Sequence, residues 1–145
     1  MRGHDIDDVN HAWWFTVGGG LDVGEDARQA ACREMREETG LVVTPERLEG
    51  VVLRRQALFH FVRETRRQYE DFFLVRLSDD EAQVVGNKHS FTAGEERVID
   101  DMRWWSFEDL DELARREAVY PLVLPSRVHD WYEGWDGMCD VVVES

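Results

Sequence analysis

Glu34, Glu37 and Glu38 crowd three carboxylates into five residues, with Arg33 immediately before them. On a helical wheel with Glu34 at the origin, each residue advances about 100°. Ala27, Ala30, Ala31, Met35 and Leu41 then share a side with Glu34 and Glu38. Glu37 lies on the flank of that side, whereas Arg28, Gln29 and Arg36 point the other way. A solvated helix keeps its glutamates away from its small apolar residues, and this one does not. Carboxylates gathered on an inward stripe repel one another in low dielectric and call for a cation. Hard oxygen donors of this kind suit Mg2+ or Mn2+, not zinc.

Ahead of the helix stands Gly18-Gly19-Gly20. A glycine loop leading into a helix can offer backbone groups to a phosphate or a metal, although a glycine triplet alone is more often a turn. The helix is expected from about Glu25 to Thr39, with Asp22 or Gly24 near its cap and Gly40 as its stop.

Taken together, Gly19, five residues, Glu25, seven residues and then Arg33-Glu34-Met35-Arg36-Glu37-Glu38-Thr39-Gly40-Leu41 resembles the Nudix box of the Nudix hydrolases. Met35 stands where that family more often has Ile, Leu or Val. The segments WWFT-x-GGG before the box and RWWSFEDL at 103–110 are similar to a subgroup of bacterial Nudix proteins. The resemblance implies an α+β chain, an α/β/α sandwich with a mixed sheet, forming a single domain over 1–145. It also implies a Mg2+-dependent hydrolase (Mn2+ being the alternative ion). The bond cleaved would be a phosphoanhydride in a nucleoside diphosphate linked to another moiety, such as a nucleoside triphosphate, ADP-ribose or a nucleotide sugar. The alternative is a non-catalytic, nucleotide-sensing Nudix domain, which would be expected to have lost box glutamates or gained a DNA-binding region.

By the same resemblance Glu34, Glu37, Glu38 and the Gly19 carbonyl are metal ligands, with Glu34 either a ligand or an aid to deprotonating water. Arg33 orients the carboxylates by charge-assisted hydrogen bonds. Glu25 ties the loop to the helix, and Gly40 ends it. Some family members add an acid from a loop outside the box. Glu95 and Glu96 stand in a suitable region, where a solvated charged turn is the competing reading.

The rest of the chain must position these groups. At 145 residues it fits one domain. A short strand is expected over 13–17, β-like stretches over 41–43 and 48–62, a charged turn at 63–67 and a strand over 68–77. After a loop over about 78–96, a strand at 98–105 leads to a helix from Ser106 to about Glu117, with Asp109 as capping-box partner. A last helix starts near Pro125 and carries Val128, Trp131 and Tyr132. Trp13, Trp14, Phe15, Trp104 and Trp105 either stack a base or fill the core. Arg54, Arg55, Arg66 and Arg67 meet phosphates or keep a hairpin soluble. The five histidines, His4, His11, His60, His89 and His129, have no ligand spacing.

Residues 1–12 are polar and expected to be irregular. Nudix proteins usually have a strand before the segment that begins MRGHD here, so the usual first strand is expected to be missing. An exposed sheet edge would follow, with the first dozen residues poorly ordered or held in a homodimer interface.

The formal charge of −14 opposes a nucleic acid polymer as partner but leaves room for a small nucleotide whose phosphates are shielded by cations. No apolar run is long enough to span a membrane, and the acidic start lacks a signal peptide's hydrophobic core, so a cytoplasmic protein is expected. Cys32 and Cys139 offer no metal spacing and no disulfide framework, and Cys32 reads as a buried thiol.

Overall fold

The computed structural model describes residues 1–85 and 99–145. A hairpin of β1 (Arg2–Asp5) and β2 (Asp8–Phe15) runs into the glycine loop and then α1 (Ala27–Thr39). One 3-10 turn (Pro45–Arg47) precedes the long hairpin of β3 (Glu49–His60) and β4 (Thr65–Leu74). Next come the single-turn helix α2 (Asp79–Ala82), β5 (Ile99–Asp101), α3 (Phe107–Ala114), β6 (Val119–Tyr120), α4 (Leu124–Glu133) and β7 (Asp140–Glu144). The strands form two sheets, ordered β5-β1-β2-β6 and β4-β3-β7. Each is mixed: β6 lies parallel to β2 and β7 parallel to β3, while the other pairs are antiparallel. The expected α+β architecture with mixed sheets is present.

The first dozen residues correct the expectation. They form β1 and most of β2, and β1 is flanked by strands on both sides. The exposed edge from which a second subunit was inferred is therefore not at β1. The apolar alternation missing from MRGHDIDDVN is replaced by local pairing. Asp5, almost fully buried, accepts the backbone N–H groups of Asp7 at 3.0 Å and Val62 at 2.8 Å, tying this hairpin to the β3–β4 turn. Residues 41–43, expected as β-like, are not a strand, although Leu41 and Val43 are buried. The strand expected at 98–105 is only β5, and the acids Glu95 and Glu96 lie outside the described residues, as do Gly86-Asn87 and His89.

Strands β2 and β3 build the core, and an irregular register between Gly50 and Leu53 lets the adjacent Val52 and Leu53 both turn inward. Trp14 turns toward Leu113 and Val119, with Trp105 and Leu110 packed on them. Val52 and Leu53, both fully buried, meet Trp131 of α4. Leu124 joins both clusters, so the start of α4 links the two apolar centres. The Ser106 side chain caps α3 by accepting the Asp109 N–H at 3.1 Å.

Candidate active site on the acidic helix

Helix α1 begins two residues later than the sequence suggests. Asp26 is the N-cap: its side chain accepts the Gln29 N–H, and Gln29 reciprocates to the Asp26 N–H, each at 2.9 Å. Gly40 ends the helix in the left-handed conformation (φ 81°), where a side chain would be strained. The buried residues of α1 are Ala30, Glu34, Glu38 and Thr39, while Gln29 and Arg36 face solvent. The acidic side thus does point inward, with Glu38 only 2% and Glu34 8% exposed. Arg28 departs from the expected solvent face. Its guanidinium donates to the carbonyls of Leu48 and Gly50, both at 2.5 Å, and lies over the Phe73 ring. It fastens the helix to the entry of β3.

Arg33 is the hub of the site. Its Nε and Nη2 each donate to Glu25 at 2.9 Å, and Nη2 also reaches the Gly20 carbonyl at 2.7 Å. Nη1 donates to Glu34 at 3.0 Å and Glu37 at 3.2 Å. The planar fork spreads over loop and helix together, which a lysine's point charge could not do. These hydrogen bonds, that to Glu25 foremost, raise the guanidinium's pKa further. In return, the Arg33 hydrogen bond and the Asp22 N–H lower the Glu25 carboxyl below its ordinary value, despite some opposing desolvation.

The glycine loop meets the helix at two points. The Gly18 N–H donates to Glu38 Oε2 at 2.9 Å. At Gly19, a Cβ would fall on the carboxyl group of Glu34, so a residue without a side chain is what leaves that carboxylate its place. The α-amino group of Met1 also bears on Glu38. Burial lowers that amine to about 6, while the charges of Glu38 and Asp101 oppose the fall.

Glu25, Arg33, Glu34, Glu37, Glu38 and Gly19 are therefore brought together. Glu34 and Glu37 turn to Arg33 and Glu38 to Gly18, and among the described residues no three acidic, His or Cys side chains stand ready as a ligand set. The donors nevertheless fit a hard divalent cation. They are all oxygens, two belong to nearly buried carboxylates, and the missing Cβ at Gly19 opens its backbone to Glu34.

The aromatic candidates separate. Trp14 is buried, stands edge-on to Trp105 at 4.9 Å and donates to Glu117 at 2.9 Å, so both rings belong to the core. Phe15 packs against Met1. Trp104 is 62% exposed and donates to the Ala82 carbonyl. Trp13 lines a cavity between the two sheets. Arg54 and Arg66 pair with Asp71 and Glu64 along the hairpin, whereas Arg55 is buried. Sequence reasoning missed the partnership of Gly18 with Glu38, for which no sequence signal exists. It also missed the burial of Arg55, which its alternation with Leu53 and Ala57 in β3 could have revealed.

A glycine loop, an acidic helix and a central arginine, set beside mixed sheets, define a Nudix-type site. Residues 2–125 match the NUDIX domain family. The chain belongs to the Nudix family of hydrolases, which generally use divalent metal cations. An uncharacterized Nudix hydrolase, YvcI, of Bacillus subtilis is 44% identical over 39 residues, covering 27% of this chain and 25% of that protein. RNA pyrophosphohydrolases of Brucella ovis and Brucella canis are each 28% identical, over 89% of this chain and 75% of theirs. The chain's match thus spans only a quarter of the Bacillus subtilis relative. No solved structure matches significantly. Among the described residues, no helix is long and apolar enough to cross a membrane.

Proposed function

We propose that this Nudix enzyme hydrolyses a phosphoanhydride bond in a nucleoside diphosphate linked to another moiety. Nucleoside triphosphates, ADP-ribose and nucleotide sugars are the substrate range. The observation that carries the reading is the burial of Glu34 and Glu38 on the helix side that meets Gly18 and Gly19. Glu34, Glu37, Glu38 and the Gly19 carbonyl would hold Mg2+ or Mn2+, which when bound offsets phosphate charge and acidifies water. Arg33 holds Glu34 and Glu37 in register with the loop, so their oxygens need little reorganisation. The Gly18 N–H fixes Oε2 of Glu38. Glu34 is the candidate to take a proton from the attacking water. Water adds to one phosphorus, the bridging P–O bond breaks, and the second phosphate departs with the electron pair. Positioning and electrostatics do most of this work, so no covalent nucleophile is required.

The Brucella relatives favour a second reading, in which the diphosphate is at the 5′ end of an RNA. The formal charge of −14 weighs against a long polyanion, and we place the small nucleotide first. Action in the cytoplasm accords with either. The test is release of phosphate or nucleotide from a panel of nucleoside diphosphate derivatives and a 5′-triphosphorylated oligoribonucleotide. It is run with Mg2+, with Mn2+ and with EDTA, beside Glu38→Gln. Metal-dependent turnover that collapses in the variant is expected. Nucleotide binding without turnover on any compound would point to a sensing domain.

A further inference from the structure

Glu37 and Glu38 stand in the last turn of α1. That is an unfavourable end for carboxylates, because the final carbonyls lack helical partners and form the negative pole of the helix. Arg36, the basic residue of this turn, is exposed. Left to itself, a turn of this composition would fray. A backbone bond from the Gly40 N–H to the Arg36 carbonyl, at 2.9 Å, begins to close it.

Thr39 completes the closure. Its side chain is 2% exposed. The hydroxyl accepts the Leu41 N–H at 3.1 Å and donates to the Met35 carbonyl at 2.6 Å, so one oxygen joins the helix to the chain beyond Gly40. Leu41 is buried as well, and the link lies in the interior. A valine has the same shape and would fill this position without the cost of burying a hydroxyl. Back-bonding of a threonine to the carbonyl one turn earlier does not by itself stabilise a helix. The gain is therefore the Leu41 N–H, which the hydroxyl satisfies while holding the turn shut.

Resting on the reading of Glu37 and Glu38 as cation ligands, we propose that Thr39 is a positioning residue for the hydrolysis. Its hydroxyl fixes the last turn of α1, so that both carboxylates are set before the cation arrives. Glu38 is then held twice, by the Gly18 N–H at its side chain and by Thr39 through the backbone. Glu37, which accepts from Arg33 at 3.2 Å, gains the same backbone anchor. Thr39 itself touches neither cation nor substrate in this role.

The test compares Thr39→Val and Thr39→Ser with wild type, with Glu38→Gln and with Leu53→Ala as a control for lost stability, all well below their unfolding temperatures. Free Mn2+ is followed by its paramagnetic resonance signal, and turnover is measured on a nucleoside diphosphate derivative. Thr39→Val should weaken Mn2+ binding about tenfold and lower kcat by a similar factor. KM should stay within about twofold. Amide exchange at Leu41 should quicken. Thr39→Ser, which keeps the hydroxyl, should restore most of the affinity and rate, and Leu53→Ala should keep both. Thr39→Cys, whose thiol bonds weakly, should fall between serine and valine, and it carries the comparison if the valine variant does not fold. Wild-type Mn2+ affinity and kcat in Thr39→Val, beside a Glu38→Gln defective in both, would overturn the proposal and leave the ligand reading standing. Losses in Leu53→Ala equal to those in Thr39→Val would overturn it too, reducing Thr39 to a stabilising residue. Glu38→Gln binding Mn2+ as wild type does would remove the ligand reading and this proposal with it.

Discussion

Two neighbouring glycines should respond oppositely to the same added methyl group. Neither Gly19 nor Gly20 has a positive φ, so alanine is tolerated by the backbone at both. At Gly20 a Cβ meets nothing within 4 Å. At Gly19 it lands on the Glu34 carboxyl, which is held by Arg33 Nη1 at 3.0 Å and is nearly buried. Forcing atoms into an occupied site costs about 1–3 kcal/mol. Escape of the carboxylate gives up a charge-assisted hydrogen bond, about 1.5–3 kcal/mol by itself. The two losses are alternatives, since relieving one incurs the other, so Gly19→Ala should cost about 2 kcal/mol. At about 2–4 °C per kcal/mol for a chain near this size, Tm falls by about 4–8 °C. Gly20→Ala should stay within about 0.5 kcal/mol, or gain slightly from a stiffer unfolded chain. Urea unfolding and thermal scans of both variants measure this directly. Mn2+ titration then asks whether displacing Glu34 also weakens cation binding, as its proposed ligand role requires. Equal stabilities for the two variants would refute the packing argument. A destabilised Gly19→Ala that binds Mn2+ normally would remove Glu34 from the ligand set.

Leu53→Ala, at a fully buried position facing Trp131, should cost about 2–5 kcal/mol by urea unfolding, leaving the catalytic groups in place. The Arg47–Glu81 fork, at 2.6 and 2.9 Å, lowers the Glu81 carboxyl to about 2, with the Arg47 hydrogen bond as the main cause. Since the folded value lies below the ordinary 4.5, this contribution is complete above about pH 4.5 and disappears as pH falls through about 2. Glu81→Gln should therefore flatten the stability–pH curve in that window and leave its slope at neutral pH unaltered. For the two free thiols, a disulfide reagent should label exposed Cys139 first. Half-buried Cys32 should follow slowly, because burial pushes its thiol up. Mass spectrometry after partial labelling distinguishes them, and the reverse order would show α1 opening readily.

How much of this was legible depended on the range of the interaction. The stripe that Glu34 and Glu38 share with Ala30 is readable from the helical period, as are the Gly40 stop and the Ser106 cap. The cap of α1, expected at Asp22 or Gly24, lies at Asp26 because that carboxylate forms a reciprocal pair with Gln29. The β1–β2 hairpin escaped because its sequence lacks alternation. Its strands are held by pairing and by Asp5, whose partner Val62 is distant in the chain. Likewise, no local rule tells Trp13 from Trp14. Their division between cavity and core is decided by helices that follow much later.

The same long-range dependence explains why the box needs the rest of the fold. An isolated acidic helix would turn its glutamates to water, since nothing in its own period forces carboxylates inward. Here Arg28 pins one side of α1 to the Leu48 and Gly50 carbonyls, which fixes the helix's rotation. With that rotation set, Glu34 and Glu38 face the loop, and Arg33 and Gly18 meet them there. Arg28 is thus a positioning residue for the site without touching it. Its replacement by methionine should free the helix to rotate and weaken Mn2+ binding and turnover together. Glu38→Gln differs by leaving the helix's thermal stability close to wild type. A fully active Arg28→Met enzyme would mean that Arg33 and the loop can hold the orientation unaided.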